Sequence, residues 1–348
     1  MAKTVTAAEL RRFVTDVFAH EGMTAADAGA MADTLVWANL RGVDTHGVTR
    51  LPRYLEMIQE GLMNVGAKPT YSYPAPSSLV IDADRAPGPV VLSYAVDRLK
   101  VLARDHGIAM ALVGQMTHTG ALGYYTSNLA EAGFAALAFN AGTVFMPYHG
   151  ARGLALGTNP ISIAVPGGDG HPLVLDMASS AVAMGKLNLA RKTGTPLQPG
   201  WAVDEAGNPT TDPAKAAMST PLGGPKGSGL SLMVEILASL LSGNPIIADA
   251  LQKTGEGGKH RQNALVIAID IATFVDPAEF GGQVQRLVGA LKALPLATDA
   301  VSILMPGERG YLAMIERAAT GIPLPPPILA ELATVAERFR ITPLALQP

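Results

Sequence analysis

Ile108-Ala109-Met110-Ala111-Leu112-Val113 and Phe134-Ala135-Ala136-Leu137-Ala138-Phe139, separated by a helix-length stretch over 120–133, decide the fold class of this chain. Each hexapeptide is an unbroken apolar run of strand length, the pattern of a strand buried on both faces. Strand, helix and strand in succession argue an α/β body. Upstream, 78–82 reads as a short strand, and Val91, Leu92, Ala95, Val96 and Leu99 mark a helix ending near Gly107. Downstream, 161–165 and 173–177 form a hairpin around Pro166-Gly167-Gly168-Asp169-Gly170, and 264–270 and 301–305 read as further strands. Helices are expected near 277–293, 311–320 and 327–339, with a buried apolar helix over 228–242 stopped by Gly243-Asn244-Pro245. Residues 193–213 form a long turn-rich segment of the kind that is functional or interfacial, and 244–262 are polar and irregular.

The N-terminal part is helical. Thr6-Ala7-Ala8-Glu9 fits a capping box, followed by Leu10, Phe13, Val14, Val17 and Phe18 at helical spacing. Thr24-Ala25-Ala26-Asp27 opens a second helix to about Leu40 in the same way, and a third from Leu51 carries Tyr54, Leu55 and Ile58 on one face and stops at Gly61. The Pro- and Ser-rich stretch 69–76 reads as a linker to the α/β body.

At 348 residues the chain is long enough for two or three lobes, and 48% hydrophobic residues supply a large core. A net charge of -3 with dispersed Lys and Arg excludes a nucleic-acid footprint. The absence of cysteine removes disulfides, thiolate metal sites and a cysteine nucleophile. Met1-Ala2-Lys3-Thr4 leads into an amphipathic helix rather than a signal h-region, so a cytoplasmic protein is expected. Apolar runs are strand-length, so no membrane segment is expected.

Polar chemistry is densest in Arg41-Gly42-Val43-Asp44-Thr45-His46-Gly47-Val48-Thr49-Arg50, in a chain only 16% charged. Polar groups near a core must find partners, so this decapeptide is a site candidate. If the third helix begins by Val48, then His46, Arg50 and Tyr54 line one edge, a set suited to a small carboxylate; a capping or interface histidine is the other reading. His118 follows a buried strand at its carboxyl end, where α/β folds place ligands, or else bonds the loop backbone. The seven histidines show no helix-face metal spacing, and no metal is expected. Gly223-Gly224-Pro225-Lys226-Gly227-Ser228-Gly229 opens the apolar helix as an anion cradle or a plain flexible turn. No G-x-G-x-x-G follows a strand, which disfavours a Rossmann site.

Several stretches fall in one order: Arg41 through Gly47, Arg50-Leu51-Pro52-Arg53-Tyr54, Gly157-Thr158-Asn159-Pro160-Ile161, Leu175-Asp176-Met177-Ala178-Ser179, Gly185-Lys186, Gly200-Trp201-Ala202-Val203-Asp204, Pro209-Thr210-Thr211-Asp212-Pro213 and Gly224-Pro225-Lys226-Gly227. Pro306-Gly307-Glu308 and Gly321-Ile322-Pro323-Leu324 extend it. The order resembles the malate/L-lactate dehydrogenase family of the non-Rossmann type, which includes ureidoglycolate and sulfolactate dehydrogenases, 2,3-diketogulonate reductase and the piperideine- and pyrroline-2-carboxylate reductases. The resemblance implies an α/β, non-Rossmann NAD(P)-binding fold with a helical N-terminal lobe packed with the C-terminal helix. The expected division is 1–76 with 320–348 as that lobe, 77–117 with 285–319 as an α/β core, and 118–284 as the cofactor-binding domain.

It also implies NAD or NADP as cofactor, a small carboxylate substrate and a homodimer with the active site near the subunit interface. By position, His46 and His118 are the acid/base candidates, and Thr45, Arg50 and Tyr54 would hold the substrate. Asn140, Thr158, Asn159, Asp176, Met177, Ala178, Ser179, Pro225, Lys226, Gly227, Gly307, Glu308 and Arg309 would surround the dinucleotide. Two departures bear on the substrate: Gln115-Met116-Thr117-His118 stands where many members have Asn-Ser-x-His, and Thr45 where more have Ser. Residues 244–262 match the family poorly, and no role is carried there, His260 included. The reaction expected is reduction of a small 2-oxo acid to the L-2-hydroxy acid. Reduction of a cyclic 2-imino acid is the nearest alternative, and a catalytically silent dinucleotide-binding homologue is the alternative of another class.

Overall fold

Thr6 accepts the Glu9 amide at 3.1 Å and Thr24 that of Asp27 at 3.2 Å, so both capping boxes start helices where the sequence puts them. The computed structural model describes residues 3–168, 170–252 and 261–347. β1 (Lys3–Val5) leads into α1 (Ala7–His20), α2 (Ala25–Leu40) and, past two tight turns, α3 (Leu51–Gln59), which buries Leu51, Tyr54, Leu55 and Met57. The 69–76 linker is instead a strand, β2 (Thr70–Ala75), antiparallel to β3 (Ser78–Asp82). Pro74 masked it. A residue without an amide is tolerated because β2 is the sheet's edge, and the register shifts between Ser72 and Ala75.

α4 (Gly88–His106) buries the apolar face read from the sequence and ends at Gly107, φ 79°. β4 (Ile108–Met116), α5 (Gly123–Glu131) and β5 (Phe134–Ala141) give the strand, helix and strand. β6 (Ile161–Val165) and β7 (Leu173–Met177) pair as the expected hairpin, its Asp169 lying outside the described residues. After α6 (Met184–Thr193), the turn-rich segment contributes β8 (Ala202–Val203) and β9 (Pro209–Thr210) to a small antiparallel sheet with β10 (Met218–Ser219). α7 (Pro225–Glu235) continues through a π turn at Ile236–Leu240 to Gly243. In the polar stretch 244–262, α8 (Ile247–Gln252) forms, and His260 lies outside the described residues.

β11 (Gln262–Asp270), α9 (Ile271–Phe274), α10 (Pro277–Lys292), α11 (Glu308–Thr320), β12 (Ile322–Leu324) and α12 (Pro326–Phe339) complete the chain. The strand expected at 301–305 does not form: Val301 is 94% exposed, and the Met305 amide is taken by Glu308 Oε2 at 2.8 Å. Apolar side chains alone do not make a strand without a sheet edge to pair with.

The main sheet runs β2-β3-β4-β11-β5-β6-β7, with β3 and β4 the one parallel pair among the described residues, so this is not a doubly wound Rossmann sheet. β4 and β5 are not neighbours, because β11 enters between them antiparallel to both. The carboxyl ends of β4 and β5 and the amino end of β11 therefore share one edge of the sheet. α4 and α5 cover the core beneath it, which includes Leu92, Leu99, Val113, Tyr125 and Phe134. A second core joins α1–α3 to β12 and α12 through residues such as Phe13, Leu35, Ile322 and Leu332. A fully buried side chain of this size contributes about 1.5–3 kcal/mol. Exposed pairs such as Arg11–Asp33 are worth about 0–1 kcal/mol, so apolar packing holds this lobe together. Among the described residues, no helix is long and apolar enough to cross a membrane.

Candidate active site

The decapeptide is not the start of α3. It folds as two 3-10 turns, Asp44–His46 and Val48–Arg50, with extended Gly47 between them. Asn39 of α2 is the reason: its Oδ1 accepts the Val48 amide at 2.8 Å and its Nδ2 donates to Asp44 Oδ1 at 2.8 Å. A Cβ at Gly47 would overlap the Asn39 amide, so a larger residue there would displace the side chain that accepts the Val48 amide. Arg317 of α11 grips Asp44 through both terminal nitrogens, at 2.7 and 3.1 Å. Asp44 is thus spent on holding the turn.

The turn aims the rest of the decapeptide at His118. Arg50 Nε donates to the Thr45 carbonyl at 2.6 Å, and among the described residues its two terminal nitrogens meet no protein acceptor. His46 Nδ1 lies 3.2 Å from Thr45 Oγ1, and the His46 and His118 rings stack with centroids 5.8 Å apart. Tyr54, 1% exposed, places its hydroxyl 2.7 Å from His118 Nδ1. The Gly120 amide donates to the same nitrogen at 3.1 Å. Because an amide can only donate, Nδ1 is the acceptor, and the network assigns the ring proton of neutral His118 to Nε2.

Both imidazoles are half-buried. Burial first, and the Arg50 charge second, pull His46 down to about 4. Burial, Arg50 and His46 hold His118 well below the usual histidine range. Burial pushes the Tyr54 phenol up, with Arg50 opposing. At neutral pH the cluster is two neutral imidazoles and a phenol beside one full cation, an environment that favours an anionic ligand.

The cofactor candidates fall into two groups around this centre. Asp176 Oδ2 accepts the Gly123 amide at 2.7 Å at the start of α5. Surrounding protein raises its pKa to about 6, opposed by the Gly123 amide and Arg41. Its side chain nevertheless keeps an open face to water, which tempers that rise and marks the wall of a cleft. Asn140, 4% exposed, donates to Gln262 Oε1 at 3.2 Å. Ser179 is bonded through its backbone to Thr158 and Leu222, and a Cβ at Gly227 would overlap the Leu222 amide, so 158, 176–179 and 225–227 pack together, with Met177 and Ala178 half-buried. Lys226 is exposed in the first turn of α7, after Pro225 and the positive-φ Gly224.

Asn140 Oδ1 and Ser179 Oγ are buried with no partner among the described residues. Two orphaned oxygens and a cationic helix start fit a polar, anionic dinucleotide. Asn159 is different: its amide is committed to the Gly142 amide and the Ser231 carbonyl, a packing role. Gly307 to Arg309 join the second group, since Arg41 donates to the Gly307 carbonyl at 2.8 Å and the Val174 amide to that of Pro306 at 3.0 Å. There Glu308 pairs with Lys292, while Arg309 is exposed. Among the described residues, no cluster of His, Asp and Glu is placed to hold a metal ion.

Sequence reasoning missed Gln262 and Asn263, which stand beside the His118 loop, and gave Arg41 no separate role. The polar pair opening an otherwise apolar strand was the available signal. A separate cavity of about 500 Å³, lined by Tyr71, Tyr94, Tyr124 and Tyr125, includes neither His46 nor His118 in its lining.

The family profile of malate/L-lactate dehydrogenase matches residues 5–333. The chain is 34% identical to a malate dehydrogenase of Pyrococcus horikoshii, over 94% of this chain and 93% of the relative. It is 33% identical to the Delta(1)-pyrroline-2-carboxylate reductase of Ancylobacter novellus, over 95% and 97%. With the (2R)-3-sulfolactate dehydrogenase (NADP(+)) of Chromohalobacter salexigens, identity is 32% over 97% and 99%. The crystal structure of malate dehydrogenase from Entamoeba histolytica superposes with a TM-score of 0.93 at 26% identity, covering 98% of this chain and 99% of that one.

Proposed function

The chain belongs to the malate/L-lactate dehydrogenase family of oxidoreductases, and within it we propose an NAD(P)-dependent reductase of a small 2-oxo acid, giving the L-2-hydroxy acid. The observation that carries this reading is the convergence of His46, Arg50, Tyr54 and His118 on one another. Bound nicotinamide would supply the hydride, held by Asn140, Thr158, the 176–179 segment, the start of α7 and 307–309.

The protein's part is orientation and one proton. Arg50, its Nε anchored on Thr45, presents its free nitrogens to the substrate carboxylate, with Thr45 and Tyr54 beside it. His118 turns Nε2 toward the developing oxyanion, with His46 as the alternative donor. To act as the acid, His118 first takes a proton from solvent on Nδ1, which then donates to the Tyr54 hydroxyl oxygen in place of accepting the Gly120 amide. It gives its Nε2 proton to the oxyanion and ends as a neutral imidazole. Carboxylate binding offsets the Arg50 charge, one of the causes that depress both imidazoles. Substrate thus raises their proton affinity and readies the acid as it docks.

In this reading the lobe of 1–76 with 320–348 brings the carboxylate-binding residues, 77–117 with 285–319 forms the core, and 118–284 supplies most of the cofactor side. A cytoplasmic homodimer belongs to the reading. Its dimeric part is supported by α10 and α11, which bury none of their residues and expose Leu287, Leu291, Leu312 and Ile315. A second substrate reading, a cyclic 2-imino acid, is favoured by the likeness to the pyrroline-2-carboxylate reductase.

NADH and NADPH oxidation followed with pyruvate, oxaloacetate, diketogulonate and piperideine-2-carboxylate tests these readings. Turnover of an oxo acid is expected. Turnover of the imino acid alone transfers the assignment to C=N reduction, and cofactor binding without any turnover leaves a silent homologue. His118→Ala should abolish turnover with NAD(P)H affinity nearly unchanged; retained turnover makes His46 the donor.

A further inference from the structure

The strand that enters between β4 and β5 carries two polar residues at its first positions, and both reach the loop that presents His118. Ala264 pairs with Val113 but Gln262 pairs with Met116, so Gly114 and Gln115 of β4 together oppose Asn263 in a bulge. Gln115 stands at φ 55°, a conformation that persists only where its surroundings over-determine it. Asn263, 1% exposed, does this: its Oδ1 accepts the Gln115 amide at 2.9 Å, and its Nδ2 donates to Ser239 Oγ at 3.0 Å and the Asn244 carbonyl at 2.7 Å.

Beyond the bulge, Gln262 Oε1 accepts the Thr119 amide at 3.1 Å and Asn140 Nδ2 at 3.2 Å. One oxygen with two lone pairs thereby holds two donors from different parts of the site. Thr119 adjoins His118, and Asn140 lies near the end of β5 with a buried, partnerless oxygen. The loop's other anchors, Thr117 on the Ala86 carbonyl and the Tyr125 hydroxyl on the Thr119 carbonyl, tie it to the α4 and α5 side.

We propose that Gln262 is a positioning residue that sets the His118 loop against the cofactor side of the site through Asn140. The proposal rests on the reading of His118 as proton donor. A proton donor displaced by about 1 Å loses on the order of 10²-fold in rate.

Gln262→Leu keeps the bulk and removes the acceptor; Gln262→Glu keeps the acceptor. In the cofactor-free protein, the Leu variant should exchange amide hydrogens over 117–122 at least about tenfold faster than the parent, and the Glu variant should restore protection. In turnover with NAD(P)H and the accepted acid, the Leu variant should lose on the order of 10²-fold in kcat, with KM for the acid within about threefold because Arg50 is untouched. The Glu variant should recover most of that loss. Thermal melts show whether the Leu variant is folded; if it is not, the Glu variant alone decides, and loss of both protection and kcat with a retained acceptor overturns the proposal. Unchanged exchange, or unchanged kcat, in a folded Leu variant also overturns it. Turnover surviving in His118→Ala would instead remove the donor reading, and the exchange measurement does not depend on that outcome.

Discussion

Lysine at position 50 would keep the charge and lose the fork. Arg50 spends Nε on the Thr45 carbonyl at 2.6 Å and leaves two terminal nitrogens for a carboxylate. Each charge-assisted bond is worth about 1.5–3 kcal/mol. Lysine, a single flexible donor head, forfeits roughly one such bond and the anchor, about 2 kcal/mol, or about 30-fold in kcat/KM. Glutamine forfeits the charge and both bonds, roughly 10²- to 10⁴-fold. The two variants differ again at His46. Lysine leaves its pKa near 4, whereas glutamine removes the second cause of the depression and lets it rise part of the way toward 6.5, burial being the larger cause. Steady-state kinetics across pH, with proton NMR titration of His46 in the cofactor-free protein, measure both effects. Unaltered kcat/KM in Arg50→Lys would refute the carboxylate-clamp reasoning, and a His46 pKa still near 4 in Arg50→Gln would refute Arg50 as a cause of the depression.

Tyr54→Phe should cost about 1 kcal/mol of stability, since Gly120 still satisfies His118 Nδ1; nitrogen NMR should show His118 protonated on Nε2 in parent and variant alike. Gly88→Ala would bring a methyl to 2.7 Å from the His118 carbonyl and the Thr119 Cα, both backbone, so the loop must move: about 1–3 kcal/mol lost in urea unfolding, with a fall in kcat. Arg317→Ala should remove about 1–2 kcal/mol, limited by the 43% exposure of Asp44, and raise KM through a loosened decapeptide. For His46 the unfolded chain binds more protons between about pH 4 and 6.5, so stability rises with pH through that window. For Asp176 the folded state binds more between pH 3.8 and about 6, giving the opposite slope. Urea unfolding across this range should therefore show a shallower rise in His46→Asn and a steeper one in Asp176→Asn.

The sequence by itself determined the elements whose causes are local. Thr6 and Thr24 cap helices with an amide three residues on, and the apolar runs at 108 and 134 are strands as expected. They are not buried on both faces throughout: Ile108 is exposed, and Ala135, Leu137 and Phe139 are half-buried. The decapeptide was legible as a candidate site for the same reason, since its polar density is a property of ten consecutive residues. What only the tertiary structure decided are the partnerships across long separations. Arg317 meets Asp44 from 273 residues away, and the Asn39 side chain accepts the Val48 amide and so shapes the link between α2 and α3. β2 exists because an edge strand tolerates Pro74, and 301–305 fails to pair although its side chains suit a strand. The entry of β11 between β4 and β5 brings Gln262 and Asn263 to the His118 loop. Hydrogen-bond partners and strand neighbours are chosen by the burial of the whole chain, so the division of labour inside the decapeptide, Asp44 to the scaffold and His46 and Arg50 to the cleft, is a property of the fold.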